Sequence, residues 1–119
     1  MKIKRLMTIL LSLLSLTGCG APASPNNTYK QITMNEAIVM MEKEKDYIIL
    51  DVRRPDEFAE KHIRGAINIP NEIIGTEEIQ KLPNKKQLIL VYCRSGNRSK
   101  QASEKLVKLG YTNIVEFGG

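Results

Sequence analysis

The sequence predicts an α/β domain in which helices cover a parallel β-sheet on both faces. Two apolar runs, 47–52 and 87–92, lack the polar alternation of half-exposed strands. Such runs are typical of parallel strands that are buried on both faces. Segments with helical spacing of apolar residues lie between and after these runs. Strands that alternate with helices along a chain favour this layered architecture.

The first helix is predicted to begin after Thr33. Thr33 and Glu36 have the spacing of a capping box, in which each side chain pairs with the other residue's backbone N–H. The apolar residues expected to form the buried face of this helix are Met34, Ala37, Ile38 and Met41. The first strand of the buried pair, 47–52, follows it.

Proline and glycine divide the middle of the chain. Pro55 suits the first turn of a second helix. Backbone N–H groups in that turn have no partner within the helix, so proline, which lacks an N–H, loses no hydrogen bond there. Residues 66–69 predict a short strand that ends at Pro70. A short helix interrupted at Gly75 is expected within 73–82.

The last third of the chain predicts a strand, a helix and a strand. The run 87–92 is the second fully apolar strand. Residues 98–108 predict a helix, with Gly110 at its C-terminal cap. Residues 113–117 predict the last strand.

The N-terminus has the pattern of a targeting signal. Basic residues precede an apolar stretch of 11 residues, 6–16, which is too short to cross a bilayer that needs about 20. The stretch ends in Leu-Thr-Gly-Cys at 16–19, which resembles the lipobox of bacterial lipoproteins. The resemblance implies a signal peptide at 1–18, then an acylated Cys19 carrying chains such as palmitate, and a flexible linker to residue 28. An ordinary secretory signal with an incidental cysteine is the alternative.

The net charge of +5 comes largely from this signal. Removing residues 1–18 removes three basic residues and no acidic ones, which leaves a net charge of +2. The chain has no Trp, two Phe and four Tyr, so few aromatic side chains are available to stack on nucleic-acid bases. We therefore expect no nucleic-acid partner. One His and two Cys cannot furnish the four N/S ligands of a structural zinc site, and no metal is expected.

A cysteine loop at 93–99 carries the candidate chemistry. It lies between a buried strand and a helix N-terminus, where ligands bind in open α/β sheets. Backbone N–H groups and the helix dipole favour an anion there and lower the pKa of a thiol, so Cys93 is expected to be a nucleophile. A buried, inert cysteine is the alternative. The residues expected to form the anion-binding loop are Arg94, Ser95, Gly96, Asn97, Arg98 and Ser99.

Several motifs occur together in order and spacing. They are Asp-Val-Arg at 51–53, Glu-Phe at 57–58, His-Ile-Arg-Gly-Ala-Ile-Asn-Ile-Pro at 62–70, the run 91–99, Gly-Tyr at 110–111 and Phe-Gly-Gly at 117–119. Together they resemble a single-domain rhodanese from residue 29 to residue 119. The resemblance implies an open, mostly parallel five-stranded sheet flanked by helices on both faces. Rhodaneses usually continue past the Gly-Gly pair into a final helix, which a chain ending at Gly119 is expected to lack.

Rhodaneses are sulfurtransferases, which transfer a sulfane sulfur from thiosulfate or a persulfide to a thiol or cyanide without a cofactor. The resemblance implies that Cys93 carries this sulfur as a persulfide and that Arg94 and Arg98 bind the anionic donor. It also implies a supporting role for Asp51 and Arg53, with Asp51 bonded to Arg53 or to the loop arginine. The enzyme is expected to be an extracytoplasmic monomer that a lipid anchor holds at the cell membrane.

Three other functions are alternatives to this one. A persulfide carrier that serves a partner protein would share the same loop and turn over poorly. A small phosphatase would use Cys-x5-Arg, whereas only four residues separate Cys93 from Arg98. A thiol redox protein is disfavoured because the chain has no Cys-x-x-Cys motif.

Overall fold

The computed structural model describes residues 28–75 and 79–119. Within these residues the strands are β1 (Lys30–Gln31), β2 (Tyr47–Asp51), β3 (Ile67–Asn68), β4 (Leu88–Tyr92) and β5 (Ile114–Glu116). The helices are α1 (Met34–Lys43), α2 (Pro55–Glu60), α3 (Asn97–Lys108) and a short 3₁₀ helix, Asn71–Ile73. The sheet order is β1-β5-β4-β2-β3, and each neighbouring pair is parallel. The predicted α/β fold is confirmed.

Both faces of the sheet are covered by apolar side chains. On one face, Leu50 and Val91 pack in a cluster with Leu106 of α3. On the other face, Leu90 packs in a cluster with Ala37 of α1 and Phe58 of α2. Since neighbouring residues of a strand point to opposite faces, β4 and the part of β2 that precedes Asp51 must be apolar at every position. This explains the two uninterrupted runs in the sequence.

The helix ends follow the capping signals in the sequence. Thr33 Oγ1 accepts the Glu36 N–H at 3.1 Å, and Glu36 Oε1 accepts the Thr33 N–H at 2.8 Å. Pro55 is the first residue of α2. Gly110 follows α3 with a φ of +104°, a conformation that favours glycine. Its N–H and that of Tyr111 close the helix in a Schellman arrangement.

Helix α1 buries a narrower face than the sequence predicts. Ala37 is fully buried, and Met40 and Met41 pack against the same cluster. These residues have the i, i+3, i+4 spacing of one helical stripe. Met34 and Ile38 lie beside this stripe and are 38% and 47% exposed, so the expectation that they face the core is wrong.

Two short elements differ from the sequence analysis. Strand β1 has two exposed residues, paired with Val115 and Glu116, and such a short element leaves no pattern to predict it. The short helix expected within 73–82 is instead the 3₁₀ helix Asn71–Ile73, which begins directly after Pro70. Residues 79–82 are not helical. Residues 76–78 lie outside the described part of the chain.

The predicted signal peptide, Cys19 and the linker up to residue 27 also lie outside the described residues. In the part that is described, no helix combines the length and the apolar character that crossing a membrane requires.

Candidate active site

Cys93 lies at the carboxyl edge of the sheet, directly after the central strand β4. Its backbone N–H donates to the Gly118 carbonyl at 3.0 Å, which fixes it against the segment after β5. The residue is 2% exposed and packs with the side of the sheet that α3 covers. The thiol is therefore buried beneath the loop that joins β4 to α3.

The loop directs backbone N–H groups at the sulfur. The Gly96 N–H donates to Cys93 Sγ at 2.9 Å and the Ser99 N–H donates at 3.3 Å. Gly96 is the N-cap of α3 with a φ of +94°, a conformation that residues with a side chain rarely adopt. Asn97 is the first residue of the helix. The sulfur thus lies at the positive end of a helix of 12 residues.

These contacts shift the ionisation of the thiol. Burial alone would raise the pKa of Cys93, but the hydrogen bonds around the sulfur, among them those from the backbone N–H groups of Ser99, Gly96 and Ser95, outweigh it. The pKa of Cys93 therefore lies below the ordinary value of a cysteine. Because the thiolate is the reactive form, this environment is suited to a nucleophile.

The two loop arginines lie in different surroundings. Arg98 donates from Nη1 and Nη2 to the Glu57 carboxylate, at 2.8 and 3.3 Å. The Arg94 side chain is 72% exposed, with its Nε 4.0 Å from the same carboxylate. The Arg98 bond lowers the pKa of Glu57 to about 2, with further help from the Arg54 N–H. Glu57 is therefore ionised at neutral pH and compensates the charge of Arg98.

Asp51 and Arg53 form a buried cluster away from the sulfur. Asp51 accepts from the Arg53 guanidinium at 2.8 Å and from the Tyr92 hydroxyl at 2.7 Å. Tyr92 packs on the face of the sheet opposite to Cys93. The sequence left open whether Asp51 bonds Arg53 or a loop arginine, and the structure places it on Arg53.

Sequence reasoning missed Glu57 as the partner of Arg98 and missed Glu116 altogether. Glu116 is 2% exposed, and its Oε2 lies 2.5 Å from Ser99 Oγ. A single carboxylate inside the apolar strand 113–117 was a signal for it, because buried charges need specific partners. Glu57 left no local signal, since it lies 41 positions before Arg98 in the sequence.

The chain matches the family model described as a rhodanese-like domain over residues 33–119. Across residues 28–75 and 79–119, no group of His, Cys, Asp and Glu side chains is arranged to hold a metal ion.

Two relatives and one solved structure illustrate the similarity. The chain is 39% identical over 70 residues to the thiosulfate sulfurtransferase PspE of Escherichia coli, which covers 59% of this chain and 67% of that protein. It is 32% identical over 91 residues to the thiosulfate sulfurtransferase GlpE of Coxiella burnetii, with 76% and 82% covered. A structure of a rhodanese with anions from E. coli superposes with a TM-score of 0.56 at 36% identity, covering 60% of this chain and 86% of that one.

Proposed function

The chain belongs to the rhodanese-like domain family, and we propose that it is a sulfurtransferase that carries a sulfane sulfur as a persulfide on Cys93. The observation that carries the proposal is the geometry around the sulfur. Two backbone N–H groups, from Gly96 and Ser99, point at Cys93 Sγ from the loop 93–99 at a helix N-terminus. The relatives named as thiosulfate sulfurtransferases support the same activity.

The proposed reaction has two transfers. The Cys93 thiolate attacks the outer sulfur of thiosulfate, a bond forms between the two sulfurs, and sulfite leaves with the electron pair of the broken S–S bond. The product is a persulfide anion on Cys93. An acceptor thiolate or cyanide then attacks the outer sulfur, and Cys93 leaves as the thiolate. Charge and electrons balance in both steps, which together form a ping-pong cycle with a covalent intermediate.

The loop supplies the electrostatic part of this mechanism. Its N–H groups stabilise the negative charge on sulfur before and after the transfer. Exposed Arg94 is placed to attract the anionic donor, whereas Arg98 is bound to Glu57. Asp51 and Arg53 support the end of β2 and take no part in the chemistry.

Thiosulfate is expected to leave one sulfur atom on Cys93. The full chain is incubated with thiosulfate and digested, and the mass of the Cys93 peptide is measured. We expect a gain of one sulfur atom that disappears when cyanide or a small thiol is added. An intact thiol with no added sulfur would contradict the proposal. Fast transfer from small-molecule persulfides with negligible thiosulfate turnover would favour the persulfide carrier.

We also propose that the protein is a lipid-anchored, extracytoplasmic enzyme. The support is the order of basic residues, an apolar stretch of 11 residues and Cys19 in the sequence. Acyl chains on Cys19 would hold the domain at the membrane, because two or more chains bind far better than one. The intact mass of protein from the membrane fraction reports cleavage before Cys19, lipid mass and bound sulfur together.

Replacing Glu57 by Gln is expected to tighten the binding of thiosulfate. The change leaves the positive charge of Arg98 without a compensating carboxylate. Glutamine still accepts the Arg54 N–H, because either glutamate or glutamine occupies this position of a capping box. Removing one negative charge beside a site for a dianion should lower the KM for thiosulfate roughly 3- to 10-fold. Steady-state kinetics at low salt measure it. The exposed Glu60→Gln on the same helix is the control, and an unchanged or higher KM for Glu57→Gln would oppose this role.

A further inference from the structure

Glu116 is a buried carboxylate that faces the active-site loop from β5. Its Oε2 accepts from the Ser99 hydroxyl at 2.5 Å and from the Gly118 N–H at 2.9 Å. Its Oε1 accepts from the Gln31 amide at 3.3 Å. All three of these groups donate, and a carboxylate is the form of the side chain that accepts from every one of them.

The Ser99 hydroxyl lies between this carboxylate and the nucleophile. Its Oγ is 3.5 Å from Cys93 Sγ, 3.0 Å from the Gly96 carbonyl and 2.5 Å from Glu116 Oε2. A hydroxyl has one proton to donate, and the nearest of these acceptors is also a charged one. While that proton points at Glu116, Ser99 turns an oxygen lone pair toward the sulfur and cannot donate to the thiolate.

We propose that Glu116 is a positioning residue that keeps the Ser99 proton away from Cys93 and so opposes the ionisation of the thiol. The role rests on the proposed function, in which Cys93 is the nucleophile. Two effects act in the same direction. The hydroxyl bond is withheld from the thiolate, and the carboxylate repels negative charge on a sulfur that lies within about 6 Å of it, as the two bonds sharing Ser99 Oγ require.

Such opposition is useful for sulfur transfer. The loop N–H groups, the helix N-terminus and Arg98 all stabilise the thiolate. A thiolate becomes less nucleophilic as its pKa falls. The best attacking thiol has a pKa near the ambient pH. A negative charge beneath Ser99 offsets part of the stabilisation by the loop and keeps the ionised sulfur reactive.

Charged and titratable groups on neighbouring elements of the described chain also act on this pair. Arg98 from α3 is within electrostatic reach of Cys93, and its charge favours the thiolate. The Tyr29 phenol, which precedes β1, is within electrostatic reach of Glu116. Burial, Glu104 and Glu116 all raise the pKa of Tyr29, so it is neutral at physiological pH and does not compensate the Glu116 charge.

The test measures thiol ionisation in Glu116→Gln. The full chain is alkylated with iodoacetamide across a pH series, and mass spectrometry follows the Cys93 peptide apart from the Cys19 peptide. We expect the pKa of Cys93 to fall by roughly one to two units relative to the wild type. The limiting rate constant at high pH should fall roughly 3- to 8-fold, because a weaker base is a weaker nucleophile.

Two further variants separate charge from packing. Glu116→Asp keeps the charge and shortens the side chain, and Glu104→Gln removes an exposed charge from α3, the helix that carries Ser99. Glu104→Gln should stay within about 0.3 units of the wild-type pKa, and Glu116→Asp, which keeps the buried charge but shortens the reach to Ser99, should lower the pKa of Cys93 by less than Glu116→Gln does. An unchanged or higher pKa in Glu116→Gln, or an equal fall in Glu116→Asp, overturns the proposal. Alkylation needs no sulfur donor, so failure of the proposed sulfur transfer would be seen separately.

Discussion

Replacing Cys93 by Ser is expected to abolish sulfur transfer while leaving the fold intact. A serine hydroxyl is close in size and can keep the hydrogen bonds from the Gly96 and Ser99 N–H groups. It is not ionised at neutral pH and cannot form a persulfide. Loss of a covalent nucleophile typically removes most of the catalysis, so turnover should fall at least about 1,000-fold. Thiocyanate formation from thiosulfate and cyanide measures this.

The control for this variant is the other cysteine of the chain. Cys19→Ser makes the same substitution at the second cysteine of the chain and should keep full thiosulfate turnover, because the proposed chemistry does not use Cys19. Both variants should unfold at nearly the wild-type denaturant concentration. Substantial turnover in Cys93→Ser, or an equal loss of turnover in Cys19→Ser, would exclude a persulfide on Cys93 as the intermediate.

The sequence predicted those parts of the fold that depend on neighbouring residues. The Thr33–Glu36 capping box, Pro55 at the start of α2 and the Gly110 cap are local signals, and the structure contains each of them. The apolar strands were equally clear, because burial on both faces imposes the same character on every position. The rotation of α1 was not predictable in detail, since Met34 and Ile38 fit the helical period as well as Met41 does.

Only the part of the candidate site that is continuous in the sequence was predictable. The loop 93–99 is continuous in the sequence, so its backbone donors could be anticipated from glycine and the following helix. The carboxylates that modify this loop come from elsewhere. Glu57 lies 41 residues before Arg98, and Glu116 lies 17 residues after Ser99. One sequence read without its fold gives no rule that selects these pairs.

The second large effect concerns stability. Replacing Asp51 by Ala is expected to cost about 3–5 kcal/mol in the free energy of unfolding, because it leaves the Arg53 charge buried without its partner. The Asp51 side chain is fully buried, and that of Arg53 is only 11% exposed. A loss of this size is a large share of the 5–15 kcal/mol typical of a small domain. Urea unfolding at pH 7 measures it.

A matched control lies directly after this pair in the chain. Arg54 and Asp56 form an ion pair of the same residue types and the same sequence separation, but both side chains are exposed. Exposed pairs contribute little, so Asp56→Ala should leave the urea midpoint nearly unchanged. Equal effects of the two variants would show that burial of the Asp51–Arg53 pair is not what makes it important.

The same pair predicts how stability depends on pH. Burial alone would raise the pKa of Asp51, but hydrogen bonds from Arg53 and Tyr92 outweigh it and hold the pKa below its ordinary value. An unfolded aspartate titrates near 3.9, so the contribution of Asp51 is complete above that pH and is lost as the pH falls through the lower folded value. The stability difference between wild type and Asp51→Ala should therefore be constant above about pH 5 and shrink below about pH 4. Glu57, with a pKa of about 2, titrates in both proteins, so its effect cancels in that difference and the remaining slope belongs to Asp51.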